Sequence, residues 1–540
     1  MRGRYLLALL GLVVMVLAAG CGGGGGADGG GDRQITFVWG AEPPSLDPGL
    51  ATDTTSANVL YNIMDPLVLL EGENLEATPN LAESWDASAD GTVYTFHLRS
   101  DGRWTNGDPV AAGDFEYSWK RTLSPELGAD YAYQLYGIKG AQEYNECESN
   151  CDAVRDQVGV QAVDDSTLEV TLTSAQPWFP QLVAHHSFLA VHQATVEQFG
   201  EQWTEPDNIV TNGPYRLAAW EHESSIDLEK WDEWRDAASV QIETVNGRII
   251  TEGTTAVQAF EAGEVDALDS GLIPPSEVPR FKGTPEYYQS PALGTYMIGF
   301  NMNNVPDVLQ RRAMSLAIDR RTIVEKITQE GEIPATGFTP AGIAGFDEIN
   351  PESQWTPASG DIEQAKQLMS QVENPVTDIT YIHNNAPGHR EIAVAVQGMW
   401  KELGINVEIR QQEWAQFLEF IGPPPNDATD VFRYGWIYDY PDALNGLELW
   451  TCDSGNNSTA WCNEEFDAAV ERARDTQDND ARWAVYREAE DIMFGENGEV
   501  PVIPIYWYTN TSLVNERLRD SFYIDPQTFI KFFQLEVSEE

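Results

Sequence analysis

The stretch 390–410, REIAVAVQGMWKELGINVEIR, changes its structural character once, at Gly404. Residues 390–403 read as a helix, Gly404 ends it, and INVEIR alternates as a strand. Helix, glycine turn and strand in that order make half of a βαβ unit. The same order occurs earlier, where 256–262 is followed by Gly263-Glu264-Val265-Asp266. Two such units predict two α/β lobes. Ligands of open α/β sheets sit at the carboxyl ends of strands, and between lobes where there are two.

Working outward, strand-like segments fall at 35–39, 93–98, 167–172, 226–230 and 241–249. Helix-like segments fall at 112–123 (with Phe115, Trp119 and Leu123 apolar), 254–262, 308–328, 361–372, 464–476 and 480–494. The mixture predicts α/β or α+β architecture. No repeat of fixed period stands out, which argues against a solenoid or propeller. A chain of 540 residues is too long for one core and predicts two or three domains. It is 42% hydrophobic with 17 Trp, 20 Tyr and 20 Phe, enough apolar material to exclude wholesale disorder. The formal charge of −54 argues against nucleic acid and against an anionic lipid surface as partners. It reads chiefly as solubility.

Arg2 and Arg4 precede an apolar run over 5–19, which leads to Leu17-Ala18-Ala19-Gly20-Cys21. That is the pattern of an export signal, expected to occupy 1–20. Cys directly after Ala-Ala-Gly resembles a bacterial lipobox, in which Cys21 becomes lipidated and opens the mature chain. The alternative, an uncleaved anchor, has a run short of the ~20 residues of a bilayer span. Residues 21–32 are mostly glycine and read as a flexible tether. With Cys21 lipidated, four cysteines remain in two local pairs, Cys147/Cys151 and Cys452/Cys462. An oxidising compartment makes both disulfides; zinc fits less well, because no His lies close and the spacings are unusual.

No phosphate loop, nucleophile elbow, zinc-protease helix or dinucleotide fingerprint is present, so no catalytic residue is assigned. The adjacent His185-His186 reads as a pair of ordinary surface or core residues. Aromatics clustered with charge carry more. In 431–442, VFRYGWIYDYPD, Asp439 lies between Tyr438 and Tyr440 with Trp436 three residues before it. Along a strand over 431–437, alternation sends Arg433 and Gly435 to one face and Tyr434 and Trp436 to the other. Asp439 falls at the strand end. A desolvated carboxylate among rings needs a cation, either an internal Arg or Lys or a bound ligand.

The segment 79–121, PNLAESWDASADGTVYTFHLRSDGRWTNGDPVAAGDFEYSWKR, then identifies the chain as resembling a family. Together with SLDPGLATDTTSANVLYNIMDPLV (45–68), VDDSTLEVTL, NIVTNGPYRL and FNMNNVP…RRAMSLAIDR in order, it resembles the family 5 extracytoplasmic solute-binding proteins of peptide ABC importers, closest to the oligopeptide-binding type.

The resemblance implies a two-lobed periplasmic-binding-protein-like α/β fold (class II, large type with an extra domain), hinged between the lobes. Domain I would use 33–63, 203–293 and 506–540, domain II 64–202 and domain III 294–505. It implies that Asp439 holds a peptide's α-ammonium and that Arg433 and His389 meet its carboxylate. Trp414 and Trp436 would line the pocket and Tyr438 would touch the ligand. Gly435 and Ile437, with Thr52 and Thr54, would pair with the peptide main chain, and Tyr506 would close over it. A family disulfide at the Gly294 and Ile437 positions, an acidic residue at Thr52 and a Lys near Thr328 are missing, leaving peptide length and end-group preference open.

The implied function is a lipid-anchored, extracytoplasmic (periplasmic or cell-surface) monomer. It would capture oligopeptides and deliver them to ABC permease subunits, without enzymatic activity, cofactor or metal, touching the membrane through its lipid alone. The alternative is the same fold carrying an oligosaccharide, an opine-like compound or a metal chelate.

Overall fold

A computed structural model describes residues 33–538 except 73–74, 351–354, 423–424 and 477. The export signal, Cys21 and the tether lie outside the described residues.

The half-unit at 390–410 folds with the strand before it. Strand Asp378–Asn384, helix His389–Lys401 and strand Asn406–Gln412 form a βαβ unit, its strands parallel from Asp378↔Asn406 to Asn384↔Gln412. Gly404 at φ 82° makes the turn where a side chain would be strained. This unit forms one edge of a six-stranded sheet. The sheet continues through Val431–Ile437, Tyr287–Phe300 and Val502–Leu513 to the short Ile333–Pro334. Its core holds Tyr296, Ile298, Phe300, Trp400 and Val431, all fully buried.

The second unit belongs to another sheet. Strand Gln34–Trp39 pairs in parallel with Thr244–Ile249 on one side and Ala267–Leu268 on the other, and helix Gly253–Glu261 connects those two neighbours. Strands Ser225–Lys230 and Tyr215–Glu221 complete five strands. The alternating Ile35, Phe37 and Trp39 point into this core, and Gly247 leaves room for the Trp39 indole.

A third body is a four-stranded antiparallel sheet of Ala82–Ala87, Val93–Leu98, Thr167–Thr171 and Val160–Asp164, with helix Ala112–Thr122 against it. The apolar positions Phe115 and Trp119 are fully buried there.

The long strands Tyr287–Phe300 and Val502–Leu513 run beside each other, and their pairing slips between Pro291 and Thr295. Before the slip they adjoin the five-stranded sheet, where Ser512 Oγ donates to Leu268 O at 2.7 Å. Beyond it they form the middle of the six-stranded sheet.

The single helix expected over 308–328 is a correction. The helix stops at Leu316, and Asp319 caps a new turn by accepting from Thr322 N at 2.9 Å. The reason is Arg320, fully buried, whose Nε donates to Pro504 O at 2.6 Å. A continuous helix offers no such break, and the periodic pattern does not announce it. Among the described residues, no helix is long and apolar enough to cross a membrane.

Candidate functional site

Between the sheets lies a cleft of about 1250 Å³. Its floor is the aromatic strand. Arg433, Gly435 and Ile437 are half-buried on one face, while Tyr434 and Trp436 are buried on the other, as period-two alternation requires. On one edge the whole strand pairs with Tyr287–Phe300. On the other edge Asp378–Asn384 pairs only with Val431 and Phe432 and then diverges. Residues 433–437 therefore present an edge to the cleft that no strand covers among the described residues. Gly294 and Ile437 face each other in this ladder.

Past the strand end, Asp442 caps helix Ala443–Glu448 and accepts from Leu444 N at 3.0 Å. That helix turns Asn445 back into the site. Asn445 Oδ1 accepts from Trp436 Nε1 at 3.1 Å and from Asp439 N at 2.9 Å, and its Nδ2 donates to Asp439 Oδ2 at 2.9 Å. Asp439 is 8% exposed, and the same Oδ2 also accepts from Gln134 Nε2 at 2.6 Å. His185 Nε2 lies 3.1 Å from Oδ1, at ion-pair distance but without hydrogen-bond alignment. Arg433, the expected internal rival for Asp439, makes no contact with it.

His185 and His186 thus line the cleft. His185 Nδ1 lies against Ser187, and its Nε2 faces Asp439. His186 Nε2 donates to Ala51 O at 2.9 Å, and burial, then its neighbour His185, push its pKa well down, so it is neutral. Reading the pair as ordinary residues overlooked this placement. Although chain neighbours usually point apart, these two rings lie together in the cleft wall, their centroids 3.9 Å apart.

Arg433 faces elsewhere. Its Nη2 donates to Tyr508 Oη at 2.9 Å, and its guanidinium lies 5.3 Å from the Tyr296 ring centre. Its Nε has no partner, and no carboxylate pairs with it among the described residues. His389 stands nearby, its Nδ1 3.4 Å from Tyr296 Oη; burial, and then Arg433, hold it neutral. Tyr506 stacks on Tyr296 with centroids 4.7 Å apart. Trp414 Nε1 donates to Asp53 Oδ1 at 3.3 Å, and Thr52 and Thr54 flank that aspartate at the cleft rim. Trp436 stacks against Tyr131 at 6.0 Å. Tyr438 is an exception: its ring turns into the core against Phe338, 6.1 Å away, so only its main chain is placed at the cleft.

The cleft therefore gathers Asp439, Arg433, Trp436, Trp414, His389, Gly435, Ile437, Tyr506, Thr52 and Thr54 in one place. Sequence reasoning missed Gln134, His185 and Asn445, and it placed the segments of Asp53 and Tyr508 at the site without assigning those side chains. Asn445 had a signal, since Pro-Asp-Ala-Leu-Asn reads as a capped turn that brings position 445 back. Gln134 and His185 had none, because their proximity is created only by the meeting of separate sheets. Both cysteine pairs, Cys147–Cys151 and Cys452–Cys462, are disulfide-bonded.

Three comparisons bear on this geometry. Residues 76–458 match the model of the bacterial extracellular solute-binding proteins, family 5. The chain is 33% identical over 494 residues to the oligopeptide-binding protein OppA of Bacillus subtilis, covering 88% of each. It superposes on Haemophilus influenzae OppA in complex with the peptide RPPGFSPFR with a TM-score of 0.86, at 29% identity over 94% of this chain and 99% of that one. The murein tripeptide-binding protein MppA of Escherichia coli matches with a TM-score of 0.85, at 32% identity over 93% and 98% of the two chains. The unliganded open form of MppA gives only 0.63, at 31% identity over 94% and 97%. The chain is thus less like that open form than like the other MppA structure.

Proposed function

This chain belongs to the bacterial extracellular solute-binding proteins of family 5, and from that premise we propose that it captures oligopeptides in its cleft and hands them to an ABC permease. The observation that carries this reading is the uncovered edge of 433–437, with an aspartate at its end and an unpaired arginine at its start. A peptide main chain laid along that edge adds a strand. Its hydrogen bonds are common to all peptides, so they supply affinity without side-chain selectivity. Asp439 would take the α-ammonium, and a charge-assisted bond in a buried site fixes register. Arg433 would take a carboxylate, which its planar donors suit. His389, neutral, would add a hydrogen bond to that group rather than a charge. A cleft of about 1250 Å³ exceeds the ~300–1,000 Å³ of small-molecule sites, in keeping with a ligand of several residues.

The rest of the proposal concerns assembly. Domain I would comprise 33–63, 203–293 and 506–540, domain II 64–202 and domain III 294–505. The hinge would lie where the two long strands slip in register near 293 and 506. Cys21 would carry the lipid, and 21–32 would tether a monomeric body outside the cytoplasmic membrane. Closure of the lobes would present the loaded cleft to the permease.

Native mass spectrometry of the purified chain mixed with a defined tripeptide and tetrapeptide library tests the reading. A one-to-one complex with peptides of varied side chains is expected. Retention of an oligosaccharide or a metal chelate, with no peptide adduct, would overturn it.

A further inference from the structure

Near Arg433, across Tyr508, the cleft wall carries two glutamates that a peptide main chain does not require. The chain reaches them through Gln329, whose φ of 64° is left-handed, an uncommon conformation for a residue with a side chain. The turn is pinned. Glu330 O accepts from Gln289 Nε2 at 2.8 Å and from Thr509 Oγ1 at 3.1 Å, and Glu330 Oε2 accepts from Thr511 Oγ1 at 2.8 Å. Glu332 is 9% exposed, and its Oε2 has no partner. Thr328 is 4% exposed and its hydroxyl borders the Glu332 carboxylate. Thr328, Glu330 and Glu332 all line the cleft.

We propose that this end of the cleft is a subsite for a basic side chain, so that the preferred ligands are peptides carrying lysine or arginine on the side nearest Arg433. The inference rests on the peptide reading above and deepens it.

Three observations support it. The nearest internal cation, Lys282, reaches the pair only at a distance: its Nζ donates to Gln329 O at 2.9 Å, its charge acts weakly on both carboxylates, and it forms no ion pair with either. The other titratable groups facing the pair are Tyr287, Tyr506 and Tyr508, none of which brings positive charge. Burial, then the neighbouring Glu332, raises the Glu330 carboxyl to about 8, and burial also raises Glu332, as two buried carboxylates with no ion-pair partner require. Finally, the described lining residues include ten carboxylates and, of Lys and Arg, Arg433 alone. The whole chain has 86 acidic against 32 basic residues, so the cleft is far more one-sided than the protein. Walls of one sign concentrate ligands of the other.

The geometry pairs the two ends of one ligand residue. Tyr508 receives the hydrogen bond from Arg433 and also lies in the field of Glu332. A ligand carboxylate on Arg433 and a nearby basic side chain between the glutamates satisfy both.

The test is titration calorimetry of the purified chain with alanine tripeptides and tetrapeptides in which one position is lysine or its uncharged counterpart norleucine. At one position in the C-terminal half, lysine is expected to bind at least tenfold more tightly. At pH 7 its binding should release up to about one proton, read from the dependence of heat on buffer, because a bound cation ionises Glu330. In the double variant E330Q/E332Q the lysine-to-norleucine ratio should fall below threefold. A ratio below threefold at every position in the wild-type chain, with norleucine peptides bound, overturns the inference and leaves peptide capture standing. A preference that persists in the double variant overturns it too. A chain that binds neither series overturns the peptide reading itself, and this inference with it.

Discussion

Asp439 Oδ1 and His185 Nε2 lie 3.1 Å apart, one following a strand of the six-stranded sheet and the other beside the four-stranded sheet. Gln134 reaches the same carboxylate from the same side as His185, at 2.6 Å. These contacts span the cleft, so they exist only while its walls are close. Removing both with Q134A/H185A should shift the ligand-free chain toward an open form. Small-angle scattering should show a larger radius of gyration for the variant, reversed by saturating peptide. An unchanged radius would mean that these contacts do not hold the walls together.

Asn445 is fully buried and satisfies three groups at once. Asn445→Ala leaves the Trp436 indole N–H and the Asp439 backbone N–H without acceptors. Each orphaned donor costs ~1–3 kcal/mol, so a loss of roughly 2–6 kcal/mol is expected in urea denaturation. Peptide affinity should fall at least tenfold as well, since Asp439 loses the group that orients it.

Gly435 lies on the uncovered edge, where an added Cβ would collide with the Tyr508 hydroxyl and press on the Arg433 guanidinium. Gly435→Val should therefore weaken peptide binding by more than tenfold, measured by calorimetry. Its melting temperature should drop far less than that of Asn445→Ala. Wild-type affinity in this variant would mean that the ligand does not use this edge.

The Glu330 carboxyl, raised to about 8 by burial and then by Glu332, gives a signed prediction for stability. Between the unfolded value of 4.5 and about 8 the folded chain binds a proton that the unfolded chain has released. Stability from this group is therefore complete below pH 4.5 and is lost as pH rises toward 8. Glu330→Gln removes that loss. Scanning calorimetry should find the variant more stable than wild type at pH 8.5, by on the order of 1 kcal/mol, and no more stable at pH 4.5.

The fold was legible where periodicity is local. The helix–glycine–strand pattern at 390–410 placed a βαβ unit, and alternation placed Tyr434 and Trp436 opposite Arg433 and Gly435. The break after Leu316 was not legible, because it serves Arg320, a buried cation bonded to carbonyls distant in the chain. The site was most legible in one segment. Asp439, Arg433 and Trp436 share one short segment rich in aromatics. Their partners Gln134 and His185 come from elsewhere, and nothing in their own neighbourhoods marks them, whereas Tyr508 lies two residues from Tyr506, which was expected at the cleft. Arg433 is the basic residue closest to Asp439 in sequence, yet its side chain bonds Tyr508.

The central claim is that Asp439 waits for a peptide's terminal ammonium, and blocking that ammonium tests it most directly. Titration calorimetry should compare a tripeptide with its N-acetylated form on the wild-type chain and on Asp439→Ala. Losing one partner of a buried, hydrogen-bonded charge pair costs ~2–5 kcal/mol, so acetylation should weaken wild-type binding by at least about thirtyfold. The substitution should weaken binding of the free peptide by a similar factor, and acetylation should then cost little more in the variant. Equal affinity of the wild-type chain for the free and acetylated peptides would contradict the account, whatever the variant does.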